Sequence, residues 1–237
     1  MHLLLIRHGE TDWNNEGRMQ GSIDMPLNAR GIEQAGKLAA RLVAEEQIEV
    51  LYTSPLARAR VTAEIIGQAF RLAPIPDPRL VERSIGKLEG LTLQEVETLY
   101  PKVYRAWRED TARVVFPEGE DQVEFQQRVL SFLDTIRSRP ERQVAVVTHG
   151  GTLSMFLATL MGLDIQKRFP FRFDNTSLSK VNLTRRQPRV ELLNDTCHLR
   201  PAIPELPRTQ CEKPIVAEAV SLDPALSTDV AVSPETE

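Results

Sequence analysis

The order of apolar runs and amphipathic stretches predicts an α/β protein, a three-layer α/β/α sandwich with a mainly parallel central sheet. Three observations carry that prediction. The apolar runs at residues 2–6 and 144–147 are short and continuous, and each ends in a glycine-containing polar turn, as strands buried on both faces do. Stretches with helical spacing of apolar residues alternate with such runs. The alternation occupies residues 1–199 and then stops.

In chain order, strand 2–6 leads through a polar turn to Ile32, Ala35, Leu38, Ala39 and Leu42, which recur at the spacing of one helix face, with Gly31 near its start. Residues 50–53 make a second strand. Ser54 and Pro55 then suit an N-cap and a first helical turn, and residues 56–70 continue as a helix. Pro74, Pro76 and Pro78 interrupt the chain, so the stretch from Leu80 to Gly90 is expected to be irregular and exposed at a loop edge. Residues 91–110 read as one or two short helices broken at Pro101. Residues 121–138 read as a longer one with Val129, Phe132, Leu133 and Ile136 inward. After the strand at 144–147, residues 153–161 form another helix, and residues 178–183 and 190–193 pair as strands around Gln187 and Pro188.

Composition narrows the function. At 237 residues, with 41% hydrophobic and 26% charged, the chain can bury a large core. No apolar stretch approaches the roughly 18 residues of a membrane span, and no leader pattern opens the chain. A soluble, cytoplasmic protein is expected, without a membrane partner. Cys197 and Cys211 could form one bridge but make no disulfide framework or four-ligand zinc site. The formal charge of −4 argues against nucleic acid as a partner. From Arg200 onward three basic residues face seven acidic ones, so all of that excess sits there. Residues 200–237 are also rich in proline and lack aromatics, and they are expected to form a disordered acidic tail after a catalytic domain at 1–199.

The chemistry concentrates at two strand ends. In an open parallel sheet, ligands gather beyond the carboxyl ends of strands. His8 follows the first strand and His149 the later one, each beside a glycine, Gly9 and Gly150. If the two strands are neighbours, both histidines face one pocket. Arg7, and Arg58 just after the Thr53-Ser54-Pro55 turn, add planar cationic forks that suit phosphate oxygens.

These residues sit in a longer pattern: Leu5-Ile6-Arg7-His8-Gly9-Glu10-Thr11, Trp13-Asn14, Gln20-Gly21, Pro26-Leu27, Tyr52-Thr53-Ser54-Pro55, Arg58-Ala59, Glu82, Glu89-Gly90 and Thr148-His149-Gly150. The pattern resembles the histidine phosphatase superfamily, in its phosphoglycerate-mutase-like branch, over residues 1 to about 195. The resemblance implies that His8 carries the phosphoryl group in a pocket of Arg7, Arg58 and His149. Asn14, Gln20, Gly21 and the Gly150 amide would add hydrogen bonds, and Glu82 would be the proton donor and acceptor. It implies a metal-independent phosphomonoester hydrolase without a cofactor, acting on a small phosphorylated metabolite. Phosphoryl transfer by alignment and charge stabilisation alone is compatible with that.

The core pattern does not separate hydrolysis from transfer to a second hydroxyl, so a cofactor-dependent phosphoglycerate mutase stays open. Against it, the segment 90–120 is compact, Trp107 is followed by Arg108 and Glu109, and Ile85 stands where mutases carry tyrosine. Pro117-Glu118-Gly119-Glu120 resembles the phosphatase members more than the mutases. Arg83, Arg105 and Arg108 are candidates to hold an acidic leaving group, Arg83 foremost. A noncatalytic phosphate-binding regulatory module is a further alternative, weakened by the presence of His8, Arg7 and Glu82. A metallohydrolase built on His8, Glu82 and His149 is disfavoured because two arginines would repel a cation. Oligomeric state is left open, a homodimer included.

Overall fold

Strand β1 (His2–Arg7) divides the core in two. Its side chains alternate: Leu3 and Leu5 enter one apolar cluster, Leu4 and Ile6 the other. β4 (Gln143–Thr148) does the same, with Val144 and Val146 on the first side and Ala145 and Val147 on the second. Continuous apolar runs read correctly as strands because both faces are covered. The computed structural model describes residues 1–109, 114–165, 170–184 and 187–200. The acidic tail expected beyond Arg200, and Cys211 within it, lie outside the described residues; Cys197 is a free, exposed thiol.

The first cluster is roofed by α6 (Gln122–Arg137) and α7 (Gly150–Leu160), the second by α2 (Ala29–Glu45) and α3 (Ala57–Phe70). The result is a three-layer α/β/α sandwich. Together with β2 (Val50–Thr53), β3 (Ile75–Pro76), β5 (Leu178–Asn182) and β6 (Arg189–Asp195), the sheet has the order β3-β2-β4-β1-β5-β6. β3, β2, β4 and β1 run parallel, and β5 and β6 close one edge antiparallel. Beside the sandwich, α4 (Leu93–Leu99) and α5 (Pro101–Glu109), which begins afresh at Pro101, pack around Leu88, Val96, Val114 and Phe116, and a short α1 (Asp12–Asn15) follows the turn after β1.

Three local expectations are corrected. Ile32 is 51% exposed, and Gly31 takes the inward place in the first turn of α2. A Cβ on Gly9 would lie 2.5 Å from the Gly31 carbonyl oxygen, so the turn after β1 packs glycine against glycine and leaves no room for a larger inward residue. Ser54 does not cap α3, whose N-cap position is Leu56 without a side-chain cap bond. Its hydroxyl accepts the Leu56 amide at 3.3 Å, short of the helix, and meets His149 Nε2 in the site at 2.8 Å. The stretch from Leu80 to Gly90 is not a loose edge: Leu80 and Leu88 are fully buried, and the Glu89 carboxylate accepts hydrogen bonds from Ser22 and from the Ile85 amide.

Candidate active site

Register creates the site. β1 and β4 pair so that Arg7 stands opposite Thr148, which puts the next residue of each strand, His8 and His149, side by side. Their ring centroids are 5.2 Å apart, and both residues are buried. The His8 amide donates to the Thr148 carbonyl at 2.9 Å, extending the ladder one step past the strands.

Ring orientation follows from the partners. His8 Nδ1 lies 2.7 Å from the Gly9 carbonyl oxygen, an acceptor only, so Nδ1 carries the proton and Nε2 keeps its lone pair. His149 has the opposite tautomer. Arg58 Nε donates to His149 Nδ1 at 3.1 Å, which requires Nδ1 to be bare, and His149 Nε2 then donates to Ser54 Oγ at 2.8 Å. Burial, followed by the charges of Arg7 and Arg58, holds the His8 pKa well below its usual value. Burial, then Arg58, does the same for His149. Both imidazoles are therefore neutral at physiological pH.

The arginines are fixed by carbonyls. Arg58, 1% exposed, donates to the carbonyls of Ile23 and Gly21 at 2.6 and 2.8 Å, and burial pushes its pKa down to about 10, still a cation at neutral pH. Arg7 donates to the Phe173 carbonyl at 2.6 Å. Its Nε is buried without a hydrogen-bond partner among the described residues, a donor left for an anion. Helix α7 starts at Gly150, directly after His149, so its unpaired amides face the same space. Glu82 accepts two of them, from Gly151 at 2.8 Å and Thr152 at 3.0 Å, while the Gly150 amide stays available.

A cavity of about 290 Å³ is lined by Arg7, His8, Asn14, Gln20, Gly21, Arg58, Glu82 and Gly150, joined by Arg18, Met19 and Gly151. The sequence-predicted residues thus converge, with two qualifications. His149 spends both ring nitrogens on Arg58 and Ser54, so in this structure it orients the arginine instead of facing the cavity. Arg83 lies elsewhere: its guanidinium sits 4.8 Å over the Phe116 ring, donates to the Glu120 carbonyl at 3.0 Å and bonds Gln122, lining a separate cavity of about 360 Å³. Arg105 and Arg108 are exposed on α5 and line neither cavity. Sequence reasoning missed Ser54 as the acceptor for His149, and Asn175, whose Nδ2 reaches the His8 carbonyl and Asn14 Oδ1, each at 3.1 Å. Among the described residues, no group of three or more His, Cys, Asp or Glu is placed to hold a metal ion, and no helix is long and apolar enough to cross a membrane.

Fold and pocket define an α/β/α protein with a cationic strand-end site built on two neutral imidazoles. Residues 3–196 match the histidine phosphatase superfamily (branch 1). The chain belongs to that superfamily and is an enzyme of its phosphatase type. Phosphoserine phosphatase 1 of Hydrogenobacter thermophilus is 38% identical over 198 residues, covering 83% of this chain and 93% of the relative. A Proteus mirabilis protein named "Probable phosphoglycerate mutase GpmB" is 38% identical over 187 residues, covering 77% and 85%. The crystal structure of the alpha-ribazole phosphatase from Shigella flexneri superposes with a TM-score of 0.75 at 30% identity, covering 83% of this chain and 97% of that one.

Proposed function

We propose that this enzyme hydrolyses the phosphomonoester of a small phosphorylated metabolite through a phosphohistidine on His8, without a metal ion. The observation that carries the reading is the His8 ring, held by Gly9 with a bare Nε2 and flanked by Arg7 and Arg58. In the first half reaction Nε2 attacks phosphorus, and the bond to the leaving alkoxide breaks. Arg7, Arg58, Asn14 and the Gly150 amide hold the nonbridging oxygens, where charge resides in the transition state. Protonated Glu82 gives its proton to the alkoxide. In the second half, Glu82 takes a proton from water, the hydroxide oxygen bonds to phosphorus, and the phosphorus–nitrogen bond breaks to release inorganic phosphate and restore His8.

Hydrolysis is favoured over transfer by what lines the cavity. Ile85, at the position where mutases carry tyrosine, packs against the apolar cluster of Leu88, Val96, Val114 and Phe116 outside it. Arg105 and Arg108 do not line it, and Arg18, the one lining arginine beyond Arg7 and Arg58, is already paired with Glu16 and Glu95, so the described walls offer no unpaired cation beyond the phosphate pocket to retain a phosphorylated acid for a second transfer. The phosphoserine and ribazole phosphates named for the relatives fit a small-metabolite substrate. The test is para-nitrophenyl phosphate turnover in EDTA, with phosphate release compared against transfer to phosphoglycerate. Release without transfer, undiminished by EDTA, is expected; activity lost to EDTA and restored by a divalent ion, or dominant transfer, contradicts the reading.

A further inference from the structure

We infer that Asn175 is a positioning residue for the phosphate pocket, locking the direction in which Asn14 presents its amide. The inference rests on the reading of Asn14 as a phosphate ligand. Asn14 Oδ1 accepts from the Thr11 amide and hydroxyl, each at 3.2 Å, and from Asn175 Nδ2 at 3.1 Å. With Oδ1 held there, Asn14 Nδ2 is the group left for the cavity that Asn14 lines. An amide turned the other way would offer an oxygen to phosphate, an acceptor facing an anion.

Two of the three donors fix the direction of Oδ1. The Thr11 amide can only donate, and it holds Oδ1 from the backbone side, while the Thr11 hydroxyl can donate or accept and leaves Asn175 as the side chain that completes the lock. Asn175 Nδ2 faces two oxygens, Asn14 Oδ1 and the His8 carbonyl, so it is fixed as a donor to both. One side chain thus ties Asn14 to the backbone of His8.

The turn that carries Asn175 is built to hold it still. The Ser177 amide closes the turn on the Asp174 carbonyl at 3.0 Å. Thr176 has φ 53, a left-handed conformation that a β-branched residue adopts only under constraint. Its amide donates to the His8 carbonyl at 3.2 Å, and its hydroxyl lies 3.0 Å from His198 Nε2. From β6, Asn194 brackets Asp174: its Oδ1 accepts the Asp174 amide at 2.6 Å and its Nδ2 donates to the carboxylate at 2.9 Å. The same segment supplies the Phe173 carbonyl to Arg7 and the Ser177 carbonyl to the Arg7 amide. Residues 173–177 therefore touch Arg7, His8 and Asn14 together.

The test measures inhibition by inorganic phosphate against para-nitrophenyl phosphate, with melting temperature, for Asn14→Ala, Asn175→Ala and the double variant. Asn14→Ala is expected to weaken phosphate by about ten- to a hundredfold, the effect of losing one hydrogen bond to a charged group, and Asn175→Ala by a smaller factor of about three to ten, because the Thr11 amide still holds Oδ1. The double variant should be no weaker than Asn14→Ala, because Asn175 acts through Asn14. Asn175→Asp, nearly isosteric, should weaken phosphate at least as much as the alanine variant, since it sets an oxygen against two oxygens. If Asn14→Ala weakens phosphate while neither Asn175 variant does, or if the losses add in the double variant, the positioning role is overturned and the ligand reading stands. If Asn14→Ala leaves phosphate affinity unchanged, both are overturned.

Discussion

Lowering the pH from 7.5 to 5.5 reads the two buried imidazoles through the stability of the whole protein. His8 and His149 are held well below the ordinary histidine value of 6.5, first by burial and then by neighbouring arginines. The sign follows from which state takes up protons. In the unfolded chain both histidines protonate over this interval, while in the folded one they stay neutral, so the unfolded state binds more protons and stability falls as pH falls. The contribution is fully present above the unfolded value and is lost below it, toward the depressed folded one. Near-complete suppression gives about a tenfold change in the folding equilibrium per histidine over these two pH units, about a hundredfold for the pair. Asp77, Asp174 and Asp195, whose values are also lowered, start from 3.8 and act at more acid pH. His198, lowered to about 4 chiefly by burial, is removed from the comparison by using a His198→Gln background. Urea unfolding at both pH values supplies the assay. In His8→Asn the pH-dependent loss should shrink from about a hundredfold to about tenfold in the folding equilibrium. Stability that does not change with pH, or a loss untouched by His8→Asn, would refute the neutral pair.

Other perturbations probe single contacts. Ser54→Ala leaves the buried His149 Nε2–H without its 2.8 Å acceptor, along with the weaker 3.3 Å contact from the Leu56 amide, and should cost about 1–3 kcal/mol of stability by the same assay; no measurable cost would show that the ring does not donate there. Gly151→Ala would bring a methyl to 2.6 Å from Glu82 Oε1, forcing the carboxylate off the α7 amides. Alkyl phosphate turnover should drop about tenfold or more while the melting temperature moves little, and unchanged turnover would argue against the Glu82 placement. Glu82→Gln should slow alkyl phosphates by about 10²–10⁴ and nitrophenyl phosphate far less. Equal slowing of both would remove Glu82 from the acid role.

Much of this was readable because it is local. A continuous apolar run, an adjacent glycine and a histidine mark each strand end, and pairing of β1 with β4 in register does the rest. The inward stripe of α6, Val129, Phe132, Leu133 and Ile136, also follows from spacing alone. What was misread depends on distant partners. Ser54 before Pro55 fits a cap locally, but its hydroxyl reaches only the Leu56 amide ahead of the helix and is shared with His149, 95 residues away. Asn175 is 167 residues from His8, and its one local signal, an Asn-Thr-Ser turn ahead of a strand, resembles any loop. Arg83 is next to Glu82, yet successive side chains in a non-helical stretch diverge, and Phe116 and Gln122 draw the guanidinium away from the pocket. Ile32 fits the helical period but meets the close approach of Gly9 and Gly31, which the period does not encode.

Rapid acid-free quenching during turnover, followed by mapping of the labile phosphate, tests the central claim most directly. The account predicts phosphate on His8, on the Nε2 atom that Gly9 leaves bare, at equal yield with and without EDTA. Phosphate found on a serine or aspartate, or a turnover in which no phosphoenzyme can be trapped while product forms normally, would contradict it.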